Sequence, residues 1–240
     1  MAERVPDNIP GAAAARWLQL SPEMRERTGV MAPSRALRVD INAHIRGRLS
    51  RESTIDGPAL RHERLDSYGY TRADKSFAEN YSAGDVVAFH RPYKRLGVVK
   101  GDERSVVEMD HKRHAVLLED GDGKCLAWQP SQLAGRNGGS EVYRAEGIEL
   151  RTGDRILLTR NDQDLGLVNS RTAEVLSVVG GCVAFRLEDG RELELKRNDP
   201  QLRHLGHAWA LRVHAFQGRT VDNLIAAMEA EHPHLTTQNE

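Results

Sequence analysis

Four residues in "HAFQGRT", His214, Gln217, Gly218 and Thr220, are of the types that grip a phosphate. A glycine lets the backbone approach an anion, and imidazole and hydroxyl groups donate hydrogen bonds to phosphate oxygens. The plain alternative is an ordinary strand and turn. A second set, Arg160, Asn161 and Asn169, lies in "TRNDQDLGLVN". "TRND" ends a predicted strand, so its side chains project into a loop, where a cation and carboxamides suit a sugar–phosphate track. Equally, Asn161 and Asp162 are residues that close turns with their own side chains. In a third set, Ser34 caps a helix that carries Arg35, Arg38 and Asn42. Arginines at a helix N-terminus oppose the helix dipole, which points to an anionic partner or else to a solvated face. Last comes "HRPYKR", where Tyr93 could stack on a base while Lys94 and Arg95 face phosphates. Its plain alternative is a solvated hairpin tip.

Other chemistry is missing from the chain. No GxxxxGK followed by Ser or Thr occurs, so no loop of this kind cradles nucleotide phosphates, and "GVVKGDERS" has Gly and Lys at the wrong spacing. No acidic pair follows a buried strand to hold Mg²⁺. His111/His114 and His204/His207 have HxxH spacing without further ligands, so they read as surface or packing histidines. Tyr68 and Tyr70 read as packing residues. Cys125 and Cys182 lie far apart in predicted strands and read as buried free thiols, not as a disulfide or zinc framework. No nucleophile, base and orienting group come together as a catalytic set.

These residues need a scaffold. The 240 residues allow one large domain or two to three small ones. Charge is balanced, 34 basic against 35 acidic, so any nucleic-acid site must be a local stripe. No apolar run is long enough for a membrane span or a signal peptide. Residues 11–26 read as a helix punctuated at Ser21-Pro22, followed by a strand at "TGVMAP". "SRALRVDINAHIRGRL" reads as an amphipathic helix capped by Ser34, with Leu37, Ile41, Ile45 and Leu49 on one face. Residues 50–82 read as a connector with one or two short strands and a helix near "RADKSFAENY". "HAWALRVHAFQG" reads as a strand and turn, and "RTVDNLIAAMEA" as a strand or short helix.

The middle of the chain repeats. Gly84-Asp85 matches Gly153-Asp154, Leu96-Gly97 matches Leu165-Gly166, and Leu118 to Gly121 matches Leu187 to Gly190. The differences 153 − 84, 165 − 96 and 187 − 118 all equal 69. Each copy reads as short strands with a tight Asp-Gly turn, which predicts two small SH3-like β-barrels, each marginal alone. The expected fold class is α+β or α/β, a partial α/β domain at the chain ends with the two barrels inserted. The expected divisions are 1–50 and 203–240 for the α/β domain, 51–82 for a connector, 83–150 for the first barrel and 151–202 for the second.

"TGVMAPSRALRVDINAHIR", "GDRILLTRNDQDLGLVNS" and "HAFQGRTVDN", in that order, resemble the helicase part of conjugative relaxase-helicases of the TraI/TrwC/TraA type. Superfamily 1 helicases of the RecD kind share the last two blocks, and the resemblance runs from about Ala12 to the end. One departure is Asn169-Ser170, where the family often has Asn-Gly; glycine tolerates positive φ better. The resemblance implies a fragment of the second RecA-like domain, with no ATPase or nicking activity of its own and no cofactor, since ATP and Mg²⁺ serve the parent protein. It implies contact with single-stranded DNA, with the missing motor domain and with a type IV secretion coupling protein that recruits the parent. The alternative is a purely protein-recognition module. A monomeric, cytoplasmic bacterial fragment without membrane insertion is expected, carried into the recipient cell as part of its parent.

Overall fold

The computed structural model describes residues 8–132, 139–216 and 220–228, excluding the side chain of His214. The chain divides into two compact units: Met1–Arg61 with Glu149–Glu240, and His62–Ile148. They are called unit 1 and unit 2 below.

Unit 1 opens with α1 (Ile9–Leu18), whose first turn is closed by the Asn8 side chain accepting from the Gly11 N–H at 2.9 Å. The single helix expected over 11–26 is broken. Pro22 cannot sit inside a helix, and it opens α2 (Pro22–Glu26) behind the cap Ser21. Then come β1 (Thr28–Met31) and α3 (Arg35–Arg51). Ser34 Oγ accepts from the Leu37 N–H at 3.2 Å, so the expected cap is in place. Leu37, Ile41, Ile45 and Leu49 all face the core, where they meet Ala14, Trp17, Val30 and Trp209.

The chain leaves unit 1 within β2 (Asp56–Ser67), a twelve-residue strand where short strands were expected. Leu60 and Leu65 are its buried anchors. Two 3-10 turns, Asp74–Ser76 and Ala78–Asn80, replace the helix expected near "RADKSFAENY". Unit 2 continues with β3 (Asp85–Phe89), β4 (Glu103–Asp110), β5 (Ala115–Glu119) and β6 (Cys125–Trp128). The chain returns to unit 1 within β7 (Ser140–Thr152). The sheet order is β2-β7-β3-β4-β5-β6, and the pairs along β7-β3-β4-β5-β6 are antiparallel. Its core holds Val87, Phe89, Val116, Leu118, Trp128 and Val142.

Back in unit 1 run β8 (Arg155–Leu158), β9 (Thr172–Val179), β10 (Cys182–Leu187), β11 (Glu192–Lys196) and β12 (Leu205–His207). They form an antiparallel sheet in the order β11-β10-β9-β8-β12. In both antiparallel sheets four successive strands form a meander, and the next strand along the chain pairs back onto the first. The glycines matched in sequence share a backbone state: Gly84 and Gly153 at φ +89° and +86°, Gly97 and Gly166 at +65° and +63°. The Gly-Asp pairs do one job. Asp85 accepts from the Ser82 N–H at 2.8 Å and Asp154 from the Arg151 N–H at 2.7 Å, each closing a three-residue turn into its strand.

Last come β13 (Ala210–Leu211) and β14 (Asn223–Ala226), which flank β1 in a parallel sheet of order β13-β1-β14. The segment left open as strand or helix is thus a strand. Parallel strands with α1 and α3 packed nearby make this part of the chain α/β, and the antiparallel sheets make the whole mixed. Asn42 ties the short β13 to α3. Its Oδ1 accepts from the Ala210 N–H at 2.8 Å and its Nδ2 donates to the Ala210 carbonyl at 3.2 Å.

Candidate nucleic-acid interface

Unit 1 holds a cleft of about 750 Å³. Trp17, α2, Trp209 and Thr220 contribute to one part of its lining, and the ends of β8, β9 and β10 to another. Four arginines enter it. Arg25 stacks over the Trp17 ring at 5.2 Å, and its Nε is buried without a hydrogen-bond partner. Arg155 grips both carboxylate oxygens of Glu26 at 2.5 and 2.6 Å. Arg171 lies 3.4 Å from Glu188, and Arg186 lies 3.6 Å from Glu174 and 3.4 Å from Glu192. The last two side chains are 63% and 50% exposed. Ion pairs so open to water contribute about 0–1 kcal/mol each. A phosphate, which an arginine binds through two parallel hydrogen bonds, competes well against such partners.

The motif that suggested phosphate contact is only partly described. Gln217 and Gly218 lie outside the described residues, as does the His214 side chain; the His214 backbone sits in the 3-10 turn Val213–Phe216. Thr220 is exposed and lines the cleft.

The turn after β8 is fastened by the side chains expected to fasten it. Asn161 Oδ1 accepts from the Asn169 N–H at 2.7 Å, and Asp162 Oδ1 from the Leu165 N–H at 3.0 Å. Asn161 and Asn169 are thereby brought together, both exposed. Ser170 sits at φ +69°, the left-handed state that glycine holds more easily. Arg160 Nη1 donates to His204 Nε2 at 3.0 Å, so His204 must be neutral there. Burial first, then the charges of Arg160 and Arg203, push its pKa down to about 4. A smaller hollow of about 300 Å³ beside this turn shares Arg171 with the larger cleft. The smaller hollow takes Gly166, Leu167 and Val168 of this turn into its lining, and Thr220 lines only the larger cleft.

Arg35 and Arg38 do not line the cleft. Arg38 Nη1 donates to the Pro33 carbonyl at 2.9 Å and approaches that of Ala32 at 3.5 Å, so this cation braces the loop before α3. In unit 2, Lys94 and Arg95 are exposed in the 3-10 turn Lys94–Leu96. Tyr93 corrects an expectation. It is 7% exposed and packs edge-on to Phe89, 5.7 Å between centroids, so it is a core ring and not a stacking platform. The pattern Phe89 to Tyr93 to Val98 decides this: Tyr93 bridges to Val98 and turns its ring inward.

Other expectations divide. Cys125 is exposed and Cys182 half-buried, so neither is the buried thiol expected, and Cys125 alternates outward on β6, the last strand of its sheet. Both thiols are free. Tyr68 and Tyr70 stack at 4.8 Å, and the Tyr68 hydroxyl donates to Asp85 at 2.9 Å, as packing residues would. His114 pairs with Glu79 at 2.6 Å, and His207 Nε2 approaches the Glu149 carbonyl at 3.1 Å. Among the described residues no three His, Cys, Asp or Glu side chains are grouped to hold a metal, and no helix is long and apolar enough to cross a membrane.

Arg25, Arg155, Arg171 and Arg186 were not singled out from sequence. Each lies at a strand or helix end, and only the fold gathers them.

No family model matches the chain. Over 113 residues, 46% of its length, it is 28% identical to the multifunctional conjugation protein TraI of Escherichia coli, of which the match covers 6%. Among solved structures, Pif1 helicase from Bacteroides in complex with ADP-AlF3 and single-stranded DNA aligns over 91% of this chain and 38% of that one, at TM-score 0.41 and 14% identity. Bacteroides Pif1 bound to single-stranded DNA aligns over 94% and 44%, at TM-score 0.37 and 12% identity. The chain spans a small part of the conjugation protein and less than half of these helicase chains. In sequence, this chain is similar to one short stretch of TraI, a conjugation protein.

Proposed function

We propose that the chain is a single-strand-contacting segment of a larger conjugative, superfamily 1 helicase-related protein. The observation that carries this reading is the unit 1 cleft, where Thr220 of the "HAFQGRT" motif shares a lining with Arg25, Arg155, Arg171 and Arg186. Arginines and a hydroxyl at a cleft wall bind sugar–phosphate without reading sequence. Asn161 and Asn169 extend the track at the neighbouring turn through Arg171. On this reading the parallel sheet with α1 and α3 belongs to a RecA-like domain. The two four-strand meanders, each with its returning strand, are SH3-like barrels that arose by duplication, which the paired glycine geometries support. ATP and Mg²⁺ act in the motor of the parent protein and not on these residues.

A second reading, a docking surface for a type IV secretion coupling protein, is favoured by the near-zero net charge of −1 and by the glutamates already set against the cleft arginines. The test is fluorescence anisotropy of a labelled oligo-dT strand. Binding is expected to weaken by orders of magnitude between about 50 and 200 mM salt if several phosphates are engaged. Arg171→Ala and Arg186→Ala are each expected to lower affinity severalfold and to reduce the salt slope by about 1. Binding that ignores both substitutions would move the function to the docking reading.

A further inference from the structure

Unit 2 carries a cleft of about 740 Å³ with a different character. Lys94, Arg95 and Arg113 line it, and no carboxylate lines it among the described residues. On this rim Arg113 makes a loose, exposed ion pair with Asp110 at 3.8 Å. Unit 1's cleft sets glutamates against its arginines; here the lining itself holds cations and no carboxylate, and Arg113 alone of the three has a carboxylate near it among the described residues. Leu96, Ala115 and Ala127 add apolar lining.

Two observations decide which kind of anion fits. A nucleic-acid strand in such a groove stacks its bases on exposed aromatic faces. Here the lining aromatics are Tyr93 and Trp128, 7% and 2% exposed and locked edge-on against Phe89. They offer no stacking face. Second, Ala127 and Trp128 belong to β6, the end strand of its sheet order. An edge strand is a template for an extended chain, which gains main-chain hydrogen bonds along it. Trp128 also has its indole N–H buried without an acceptor.

We propose that this cleft docks an extended acidic peptide segment of a protein partner. The peptide lies alongside β6, sets an aliphatic or proline side chain over Ala115 and Ala127, and directs carboxylates to Lys94, Arg95 and Arg113. This rests on unit 2 alone and does not depend on the single-strand reading of unit 1.

The experiment uses the full chain and a short fluorescein-labelled peptide that alternates Glu with Leu around a central Pro. Saturable binding is expected, and a peptide with Lys in place of Glu is expected not to bind. Ala127→Phe fills the cleft from an exposed position, and the double substitution Lys94→Glu with Arg95→Glu reverses its charge. Each is expected to weaken the acidic peptide at least about tenfold while leaving the melting temperature unchanged. No saturable binding, or binding indifferent to both variants, overturns the proposal. So does displacement of the peptide by oligo-dT, which would give the cleft to nucleic acid. The effect of Arg171→Ala on oligonucleotide affinity is read in parallel, so the two readings fail separately.

Discussion

Ser170 holds a left-handed backbone at φ +69° with a side chain ill suited to it. The position 69 residues earlier is Gly101, at φ +92°. Non-glycine residues pay about 1–2 kcal/mol for this conformation, and glycine returns part of that gain as chain entropy. Ser170→Gly is therefore expected to stabilise unit 1 by roughly 0.5–1 kcal/mol, read as a higher denaturant midpoint at unchanged slope. A loss of stability would mean that the weak Ser170 to Asn169 side-chain contact at 3.4 Å matters more than the backbone. Glu149 is the opposite case, a residue well served by its surroundings. It accepts from Arg151 at 2.8 Å, Arg61 at 2.9 Å and Arg46 at 3.3 Å. Burial would raise its pKa, but the hydrogen bonds from Arg151 and Arg61 win and hold it at about 2. Beside it Asp154, fully buried, takes a two-pronged grip from Arg46 at 2.8 and 3.0 Å. Glu149→Gln keeps the shape and removes the charge, and it is expected to cost on the order of 1–3 kcal/mol at neutral pH. The difference between wild type and variant should shrink as pH falls from about 4.5 through about 2, as wild-type Glu149 takes up its proton.

Elements were legible in the sequence where local signals suffice. The Ser34 cap and the Leu37–Ile41–Ile45–Leu49 face set α3 without outside help, whereas the Ser21-Pro22 signal was noted but the residues around it were read as one helix and not as α1 and α2. The Gly-Asp and Leu-Gly signatures marked turns correctly because left-handed glycines are themselves local. β2 was not legible at its true length, and β7 was not anticipated. Both are long strands whose state depends on sheet partners distant in sequence, and "DGPALRHERLDS" alternates too weakly to announce one. The site was legible only in part: Thr220 reached the cleft, while its arginines come from α2, β8, β10 and the turn before β9, whose meeting no spacing encodes. Asn42 shows the same limit. It was grouped with Arg35 and Arg38 as facing an anionic partner or solvent, yet it is buried and serves both main-chain groups of Ala210 on β13. Asn42→Ala leaves a buried N–H and a buried carbonyl unmet, at an expected cost of about 2–4 kcal/mol. Hydrogen exchange should show loss of protection concentrated in β13 and β1, and uniform loss across unit 1 would show that the tie is not local.

At the scale of the whole molecule, the two units meet pH from opposite sides. Unit 1 contains His204, pushed down to about 4 by burial and by Arg160 and Arg203, and Glu149, held at about 2. Both folded pKa values lie below their ordinary ones. The unfolded chain therefore binds protons first as pH falls, and stability is lost from about pH 6.5 downward through His204 and from about pH 4.5 downward through Glu149. Unit 2 contains Tyr81, raised well above the ordinary tyrosine range by burial and then by Tyr70 and Glu141, and also Tyr68 and Tyr70, both raised by burial first. Raised phenols stay neutral in the fold after the unfolded chain has ionised, so unit 2 loses stability as pH climbs past about 10. The carboxylates of unit 2 that also lie low, Asp74, Glu79 and Asp120, sit where water screens their contribution. The three tryptophans allow this to be read directly. Trp128 reports on unit 2, and Trp17 and Trp209 on unit 1. In denaturant titrations followed by tryptophan fluorescence, the double variant Trp17→Phe with Trp209→Phe reports only Trp128, while Trp128→Phe reports only unit 1. At pH 4 the unit 1 midpoint is expected to fall further from its neutral value than the unit 2 midpoint, and at pH 10.5 the order should reverse. Midpoints that move together at both extremes would show that the two units unfold as a single cooperative body, with proton linkage shared across the chain.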